Sequence, residues 1–297
     1  MKTILITGAS GFVGSAIIRH IGNHPGWNVI GTSRRSHDYT DIVADLTDKG
    51  AVAALSRACS PDVIVHTAAM AKTDICEKNR EECHNANVSS TKNLIEAFPE
   101  SKFIFFSTYA VYNTEEGNCD ESCSTNPTNY YIETKIEAEN YVRGRAGHII
   151  FRPSVIFGYT PFTRATQNYF MQLLDMVQSK KVMRSPADQY FNPVLVNVVA
   201  DIVMRSIEEN ISGTYNIGST ENISKYDFNR MIMERFHFEM RYLRPIESKN
   251  LAVSRPDNGT VSSSAIQHIL SYRIPPLAEM VHFLYEEMSA STNLRVS

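Results

Sequence analysis

The chain has 297 residues, of which 43% are hydrophobic and 21% are charged, so it can bury a full core in one large domain or two smaller ones. Its formal net charge of −3 offers no basic surface for nucleic acid or for an anionic membrane. The odd number of cysteines, five, and the lack of a Cys-x-x-Cys spacing argue against a disulfide framework or a metal site and favour a reducing compartment. Since no segment resembles a signal peptide or a membrane span, we expect a cytoplasmic protein.

The first predicted element is an apolar strand that runs into three glycines, Gly8, Gly11 and Gly14, and then into a helical pattern. Gly8 suits a tight turn, Gly11 allows a phosphate to approach the backbone, and Gly14 allows the helix to pack closely on the strand. A helix that begins near Phe12 would direct free N–H groups at a pyrophosphate. The alternative is a glycine-rich corner that binds nothing. The predicted dinucleotide-binding residues of this turn are Gly8, Ser10, Gly11, Phe12, Val13 and Gly14.

A second strand is predicted from Trp27 to Thr32. An NAD-binding fold would place an acidic residue just after it, where this chain has Ser33-Arg34-Arg35. A guanidinium binds a 2′-phosphate that a carboxylate would repel. We therefore predict NADP as the cofactor, with Arg34 as the main contact beside Arg35, and NAD as the alternative if both arginines are solvated loop residues.

The next elements alternate between strand and helix. Strands are predicted at 42–46, 62–66 and 103–106, and helices at about 48–59 and 81–98. This alternation predicts an α/β fold with a doubly wound parallel sheet, whose ligand lies beyond the carboxyl ends of the strands. His66 ends one of these strands, and we interpret it as a structural residue.

A candidate catalytic group follows the strand at 103–106. Thr108 lies at the carboxyl end of that strand, and Tyr131 and Lys135 are spaced by four residues at the start of a predicted helix. This spacing places both side chains about 40° apart on one helix face, whereas Tyr130 would point about 140° away from Lys135. We expect the ammonium to lower the pKa of the Tyr131 phenol, and Thr108 to donate a hydrogen bond to a substrate oxygen.

These motifs, together with Arg152-Pro153-Ser154-Val155-Ile156-Phe157-Gly158, resemble the extended short-chain dehydrogenase/reductase family over nearly the whole chain. The resemblance implies a Rossmann sheet with a smaller C-terminal substrate-binding region. It also implies that Tyr131 is the proton donor and that Lys135 contacts the nicotinamide ribose. By the same resemblance Asp45 and Leu46 would lie near the adenine, and Ala68 and Ala69 along the cofactor.

Beyond Gly158 the alternation of strands and helices weakens. We predict a dinucleotide-binding domain at 1–158 and a mainly substrate-binding region at 159–297, from which about 190–218 returns to the first domain. Asp188-Gln189 with Pro193, and Arg255-Pro256-x-Asn258, are similar to dTDP-4-dehydrorhamnose reductases. That similarity implies a nucleotide-sugar substrate, contacts from Thr108, Asn168 and Arg255, and a homodimer as one outcome.

The sequence departs from the reductase pattern after the fifth strand, where Tyr109 replaces the usual aspartate of Ser-Thr-Asp-Tyr. The segment Ser33-Arg34-Arg35 also resembles the regulatory β-subunit of methionine adenosyltransferase, a binding protein of the same fold. Three functions therefore stay open: an NADPH-dependent reductase of a 4-keto-6-deoxy sugar nucleotide, a sugar-nucleotide 4-epimerase that retains NAD, and a non-catalytic NADP-binding subunit.

Overall fold

The computed structural model describes residues 1–112, 116–160, 168–250 and 258–292. The chain divides into two compact units. The first comprises Met1–Tyr112, Ser124–Arg152 and Ala200–Tyr215, and the second comprises Asn113–Cys123, Pro153–Val199 and Asn216–Ser297. The domain limits that we drew from the sequence, at residue 158 and at about 190–218, stay predictions.

The strands and helices of the described residues are numbered in chain order. The strands are β1 (Lys2–Thr7), β2 (Trp27–Ser33), β3 (Ile42–Val43), β4 (Val63–His66), β5 (Lys102–Phe106), β6 (Ile149–Pro153), β7 (Ile156–Phe157), β8 (Met183–Pro186), β9 (Tyr190–Phe191), β10 (Val194–Leu195), β11 (Gly213–Ile217), β12 (Ile223–Ser224) and β13 (Leu243–Ile246). The α-helices are α1 (Phe12–Ile21), α2 (Lys49–Ala58), α3 (Thr73–Lys78), α4 (Arg80–His84), α5 (Ser90–Ala97), α6 (Tyr130–Arg143), α7 (Tyr169–Gln178), α8 (Val196–Glu208), α9 (Lys225–Arg235), α10 (Ser264–Ile269) and α11 (Leu277–Thr292). Short 3₁₀ turns occur at Tyr109–Val111, Met240–Tyr242 and Ser248–Asn250, and a π-turn at Asn85–Ser89.

A seven-stranded sheet dominates the part of the chain that the structure describes, in the order β11-β6-β5-β4-β1-β2-β3. Its strands pair in parallel, and β1 lies between β2 and β4. The direction of winding reverses beside β1, so the ligand edge of the sheet lies at the carboxyl ends of β1 and its neighbours. The predicted doubly wound α/β fold is confirmed.

Helices pack apolar side chains against the sheet, as a parallel sheet whose strands are buried on both faces requires. One core cluster joins Leu5 of β1 and Phe103 of β5 to Leu55 of α2, Leu94 of α5 and Val142 of α6, each of which is almost completely buried. This packing holds α6 against the sheet, so the residues on its first turns have a fixed position relative to β5.

The segment that we predicted as helical at about 81–98 is helical from Arg80 to Ala97, with one irregularity inside it. A π-turn at Asn85–Ser89 separates α4 from α5. Its buried Asn87 accepts a hydrogen bond from Met70 N at 2.7 Å, and its amide donates to Met70 O at 3.1 Å and Thr134 Oγ1 at 3.0 Å. A π-helical turn holds one residue more than an α-helical turn. These three hydrogen bonds stabilise it, because they satisfy the buried Asn87 amide.

The structure pairs Cys76 of α3 with Cys83 of α4 in a disulfide, with their Cα atoms 5.1 Å apart. We argued from the sequence against a disulfide framework, and this one pair departs from that expectation. The spacing of seven residues did not predict the disulfide, because the two side chains are brought together by the turn between the two short helices.

His66 is structural, as we interpreted it. Its ring is buried at the end of β4, with Nδ1 2.7 Å from Thr7 Oγ1 and Nε2 3.1 Å from Thr91 Oγ1. Burial first, and then the positive charge of Lys135, lower the pKa of His66 to about 3, so the ring is neutral at physiological pH.

The second unit contains short two-stranded pairings, β7 with β10, β8 with β13 and β9 with β12, together with α7 and α9 to α11. The motif residues of this unit are partly structural. Asp188 accepts hydrogen bonds from Ser248 N and Oγ, and buried Gln189 accepts one from Lys225 Nζ at 2.7 Å. Within the described residues, no helix combines the length and the apolar character needed to cross a membrane.

Candidate active site

The glycine turn follows β1 with the geometry that its sequence predicts. Gly8 has φ of +70°, and its carbonyl oxygen accepts a hydrogen bond from Gly11 N at 2.8 Å. Gly11 is the N-cap of α1 and has no side chain to cap the first turn, so the N–H groups of that turn are available to a ligand. A Cβ on Gly14 would collide with the Gly8 carbonyl, which explains the need for glycine there. Ser10, Phe12 and Val13 are partly exposed in this turn.

Arg34 and Asp45 line a cavity of about 650 Å³ in the first unit. Thr47 donates hydrogen bonds to Asp45 Oδ1 from its backbone N at 3.0 Å and from its hydroxyl at 2.8 Å. These bonds lower the pKa of Asp45, and the charge of Arg34 adds to the effect. Residues from α3, α4 and the π-turn complete the lining, and they are Lys78, Asn79, Arg80, Glu81, Glu82, Asn85 and Ala86.

The other predicted cofactor residues lie near the same strand ends. Arg35 is exposed just after β2, and Leu46 is buried in the core cluster, where its carbonyl accepts a hydrogen bond from Asn93 at 3.0 Å. Ala68 follows β4 and donates its N–H to Thr7 Oγ1 at 3.4 Å, and Ala69 beside it is exposed.

Tyr131 is oriented by the capping of α6. Asn129 is the N-cap, and its side-chain oxygen accepts a hydrogen bond from Ile132 N at 3.1 Å. Glu77 Oε1 accepts a second one from Tyr130 N at 2.7 Å, and the Arg80 guanidinium lies 4.8 Å from the centre of the Tyr130 ring. Tyr130 is thus engaged by α3 and α4, while Tyr131 shares the helix face of Lys135.

Lys135 is buried against the carboxyl end of β5. Its Nζ donates a hydrogen bond to the carbonyl of Phe106 at 2.6 Å and lies 4.0 Å from the centre of the Phe105 ring. Burial lowers the pKa of Lys135 to about 7, whereas the charge of Glu139 opposes this shift. The side chain can therefore change protonation near neutral pH.

The pKa of Tyr131 differs from our expectation. Burial, and next the phenol of Tyr109, raise the pKa of Tyr131 to about 12, where we expected the Lys135 ammonium to lower it. The physical reason is that the ammonium donates to the Phe106 carbonyl and is itself desolvated. At neutral pH the phenol therefore holds its proton and has the form of an acid.

Thr108 lies directly after β5 as the N-cap of the 3₁₀ turn Tyr109–Val111. Its Oγ1 accepts a hydrogen bond from Ala110 N at 3.2 Å. This bond uses the oxygen as an acceptor and leaves the hydroxyl hydrogen able to donate to a ligand oxygen.

Two of the predicted substrate residues, Asn168 and Arg255, belong to the second unit. Asn168 is buried at the N-cap of α7, and among the described residues its Nδ2 has no hydrogen-bond partner. Arg255 lies outside the described residues. Asn258, from the same motif, donates its amide to Glu116 O at 2.9 Å and accepts a hydrogen bond from Thr260 Oγ1 at 2.8 Å.

Sequence reasoning missed two buried side chains that support this region, Asn87 and Glu139. Asn87 links the loop after β4 to α6 through Met70 and Thr134. Glu139 lies one turn after Lys135 and bonds Arg152 and Ser107. The one available signal was their residue type, since an amide or a carboxylate at a buried helix position requires partners.

The model of the RmlD substrate binding domain family matches residues 1–290. This chain belongs to that family. It is 29% identical over 282 residues to methionine adenosyltransferase 2 subunit beta of Xenopus tropicalis, covering 90% of this chain and 82% of the relative. It is 25% identical over 236 residues to the probable low-salt glycan biosynthesis reductase Agl14 of Haloferax volcanii, covering 77% of this chain and 78% of the relative.

The fold of this RmlD-family chain is shared with a solved enzyme structure. The dTDP-4-dehydrorhamnose reductase of Bacillus anthracis in complex with NADP has a TM-score of 0.85 to this chain and 21% sequence identity, covering 97% of this chain and all of that one. At this identity the likeness establishes the common fold, and the activity is argued below from the residues.

Replacing Gly14 by Ala tests the packing of α1 on β1. The added Cβ would overlap the Gly8 carbonyl, so we expect the free energy of unfolding to fall by about 1–3 kcal/mol. Gly144→Ala is the matched control, because its Cβ would lie 3.4 Å from Tyr141 O at the end of α6. Urea denaturation measures both variants. Equal stability of Gly14→Ala and the parent protein would contradict the packing described here.

Proposed function

We propose that this protein is an NADPH-dependent reductase of a 4-keto-6-deoxy sugar nucleotide. The observation that carries the proposal is buried Lys135, which shares a helix face with Tyr131 and donates a hydrogen bond to the Phe106 carbonyl at the carboxyl end of β5, two residues before Thr108. The glycine turn after β1 lies at the same edge of the sheet. The family, and the reductases among the similar proteins, support this reaction class.

The first unit has groups that fit a nicotinamide dinucleotide. The uncapped first turn of α1 would bind the pyrophosphate, because its N–H groups and partial positive charge face the turn. Asp45 and Leu46 would contact the adenosine, Ala68 and Ala69 would lie along the cofactor, and Lys135 would bind the nicotinamide ribose. When bound, the reduced nicotinamide supplies the hydride.

The protein residues orient the keto group and supply the proton. Thr108 donates a hydrogen bond to the keto oxygen, where negative charge develops as the carbon is reduced. Tyr131 then gives its phenolic proton to that oxygen, and the Lys135 ammonium stabilises the resulting phenolate. At neutral pH Tyr131 is protonated, as a proton donor must be.

The substrate would be a nucleotide-linked keto sugar. Asn168 supports this part of the proposal, because a buried amide without a partner among the described residues can donate to a sugar hydroxyl or a phosphate oxygen. We propose Thr108, Asn168 and Arg255 as substrate contacts. The identity of the base and the sugar is decided by assaying a panel of keto-sugar nucleotides with NADPH.

The methionine adenosyltransferase relative supports a second candidate, a non-catalytic NADP-binding subunit. Tyr109 favours it as well, because the reductase pattern has an aspartate at this position. Co-purification with a synthetase, and no turnover of any keto-sugar nucleotide in the panel, would support the subunit over the reductase.

Replacing Tyr131 by Phe tests the acid. We expect kcat to fall by about 10²–10⁴-fold while NADPH still binds, because only the transferable proton is removed. Tyr130→Phe is the matched control and should stay within about twofold, since this neighbour faces Arg80. Steady-state rates and NADPH fluorescence titration give both quantities. Activity of Tyr131→Phe within about tenfold of the parent would refute the assignment.

Replacing Arg34 by Ala tests the cofactor preference. We expect kcat/KM for NADPH to fall by at least about tenfold, the loss of one charge-assisted contact to the 2′-phosphate, with little change for NADH. Arg57→Ala, an exposed arginine of α2, is the matched control. A parent enzyme that favours NADH, together with an unchanged ratio in Arg34→Ala, would refute NADPH as the preferred cofactor.

A further inference from the structure

A fully buried carboxylate lies one helical turn after Lys135. Glu139 of α6 has no exposed surface, and both of its oxygens contact Arg152 of β6, Oε1 at 3.0 Å from Nε and Oε2 at 2.7 Å from Nη2. Arg152 is itself 2% exposed. The guanidinium and the carboxylate therefore meet in the two-bond geometry that is specific to arginine.

The pair extends to the strand end that carries Thr108. Ser107 Oγ donates a hydrogen bond to Glu139 Oε1 at 2.5 Å, and Arg152 Nη1 donates one to the hydroxyl of Tyr112 at 2.7 Å. Arg143, on the next turn of α6, donates to Glu139 Oε2 at 2.5 Å. One carboxylate thus joins α6, β6 and the segment that follows β5.

Lys135 has charged and titratable neighbours on several elements. Glu139 and Arg143 are on its own helix, and Arg152 comes from β6. Burial and the charge of Lys135 lower the pKa of His66 of β4, so that its ring is neutral at physiological pH. Tyr131 lies one turn before Lys135 on the same helix, and Tyr109 follows β5 and affects the pKa of Tyr131. Among these groups Glu139 is the acid that favours the charged form of Lys135, since it raises the pKa of Lys135 against the effect of burial.

We propose that Glu139 is a positioning residue of the candidate active site. Its carboxylate binds Ser107 and so holds the end of β5, where the Phe106 carbonyl binds Lys135 and Thr108 follows, in its working arrangement. Its role in turnover rests on the proposed reductase function, but its effect on Lys135 does not. A structural ion pair alone would stabilise the fold and leave the titration of Lys135 unchanged. The titration therefore separates the two roles.

The direct test follows Lys135 in the cofactor-free protein. Lysine labelled with ¹³C at Cε reports the titration by NMR, and Lys135→Met assigns the signal. Glu139→Gln should move the Lys135 titration down by about one pH unit. Glu137→Gln, a partly exposed acid on the same helix that pairs with His84 at 3.3 Å, should leave it in place. An unchanged Lys135 titration in folded Glu139→Gln would overturn the proposal.

The Gln variant leaves the Arg152 charge buried without a partner, so it is paired with a second variant. Glu139→Gln with Arg152→Met removes both charges, which buried ion pairs tolerate better than the loss of one partner. A downward shift is expected in this double variant too, but a smaller one, because a positive neighbour of Lys135 is removed as well. Glu139→Asp keeps the charge and should restore most of the parental titration. If the double variant folds and titrates like the parent protein, the proposal fails.

The kinetic test uses the pH profile of kcat/KM. Because the ammonium is lost as the pH rises, the alkaline limb in Glu139→Gln should move down with the Lys135 titration. The loss is about fivefold at pH 7 if the pKa falls from about 7 by one unit, and it recovers on acidification. A uniform loss at every pH, with no shift of the limb, would contradict the proposal. Absence of reductase activity in the parent protein would refute the proposed function and leave the NMR result to decide this inference.

Discussion

The burial of one ammonium group, Lys135 Nζ, is the constraint on which the candidate site depends. A lysine is almost never fully buried without a partner, and this one is 2% exposed. The Phe106 carbonyl and the Phe105 ring receive it, and Glu139 supplies the opposing charge one turn away. The end of β5 and the first turns of α6 must therefore stay together, and this places Thr108 and Tyr131 at the same edge of the sheet.

The glycine turn and the Lys135 ammonium have different roles at that edge of the sheet. Gly8 and Gly14 let α1 approach β1 closely, which orients an uncapped helix end where a pyrophosphate would bind. Such a turn would serve a catalytic and a purely binding protein equally well. The burial of Lys135 on the helix face that Tyr131 shares is what favours catalysis in our proposal, because a buried ammonium is costly to maintain and such groups are typical of functional sites.

Local patterns predicted the first unit well, and long-range contacts account for what they missed. The glycine spacing, the apolar strands and the four-residue step from Tyr131 to Lys135 are properties of neighbouring residues. The π-turn at Asn87 depends on the distant Thr134, and the burial of Glu139 depends on Arg152. The raised pKa of Tyr131 likewise follows from tertiary burial, which the helical spacing does not contain.

We propose that the protein passes a hydride to a keto-sugar nucleotide and adds the proton from Tyr131. The most direct measurement uses NADPH with deuterium on either face of the nicotinamide C4 and analyses the sugar nucleotide by mass spectrometry and proton NMR. We expect one deuterium at the former keto carbon, from one of the two faces, in the parent protein and about 10²–10⁴-fold more slowly in Tyr131→Phe. Unlabelled sugar nucleotides and unoxidised NADPH across the whole panel would contradict it.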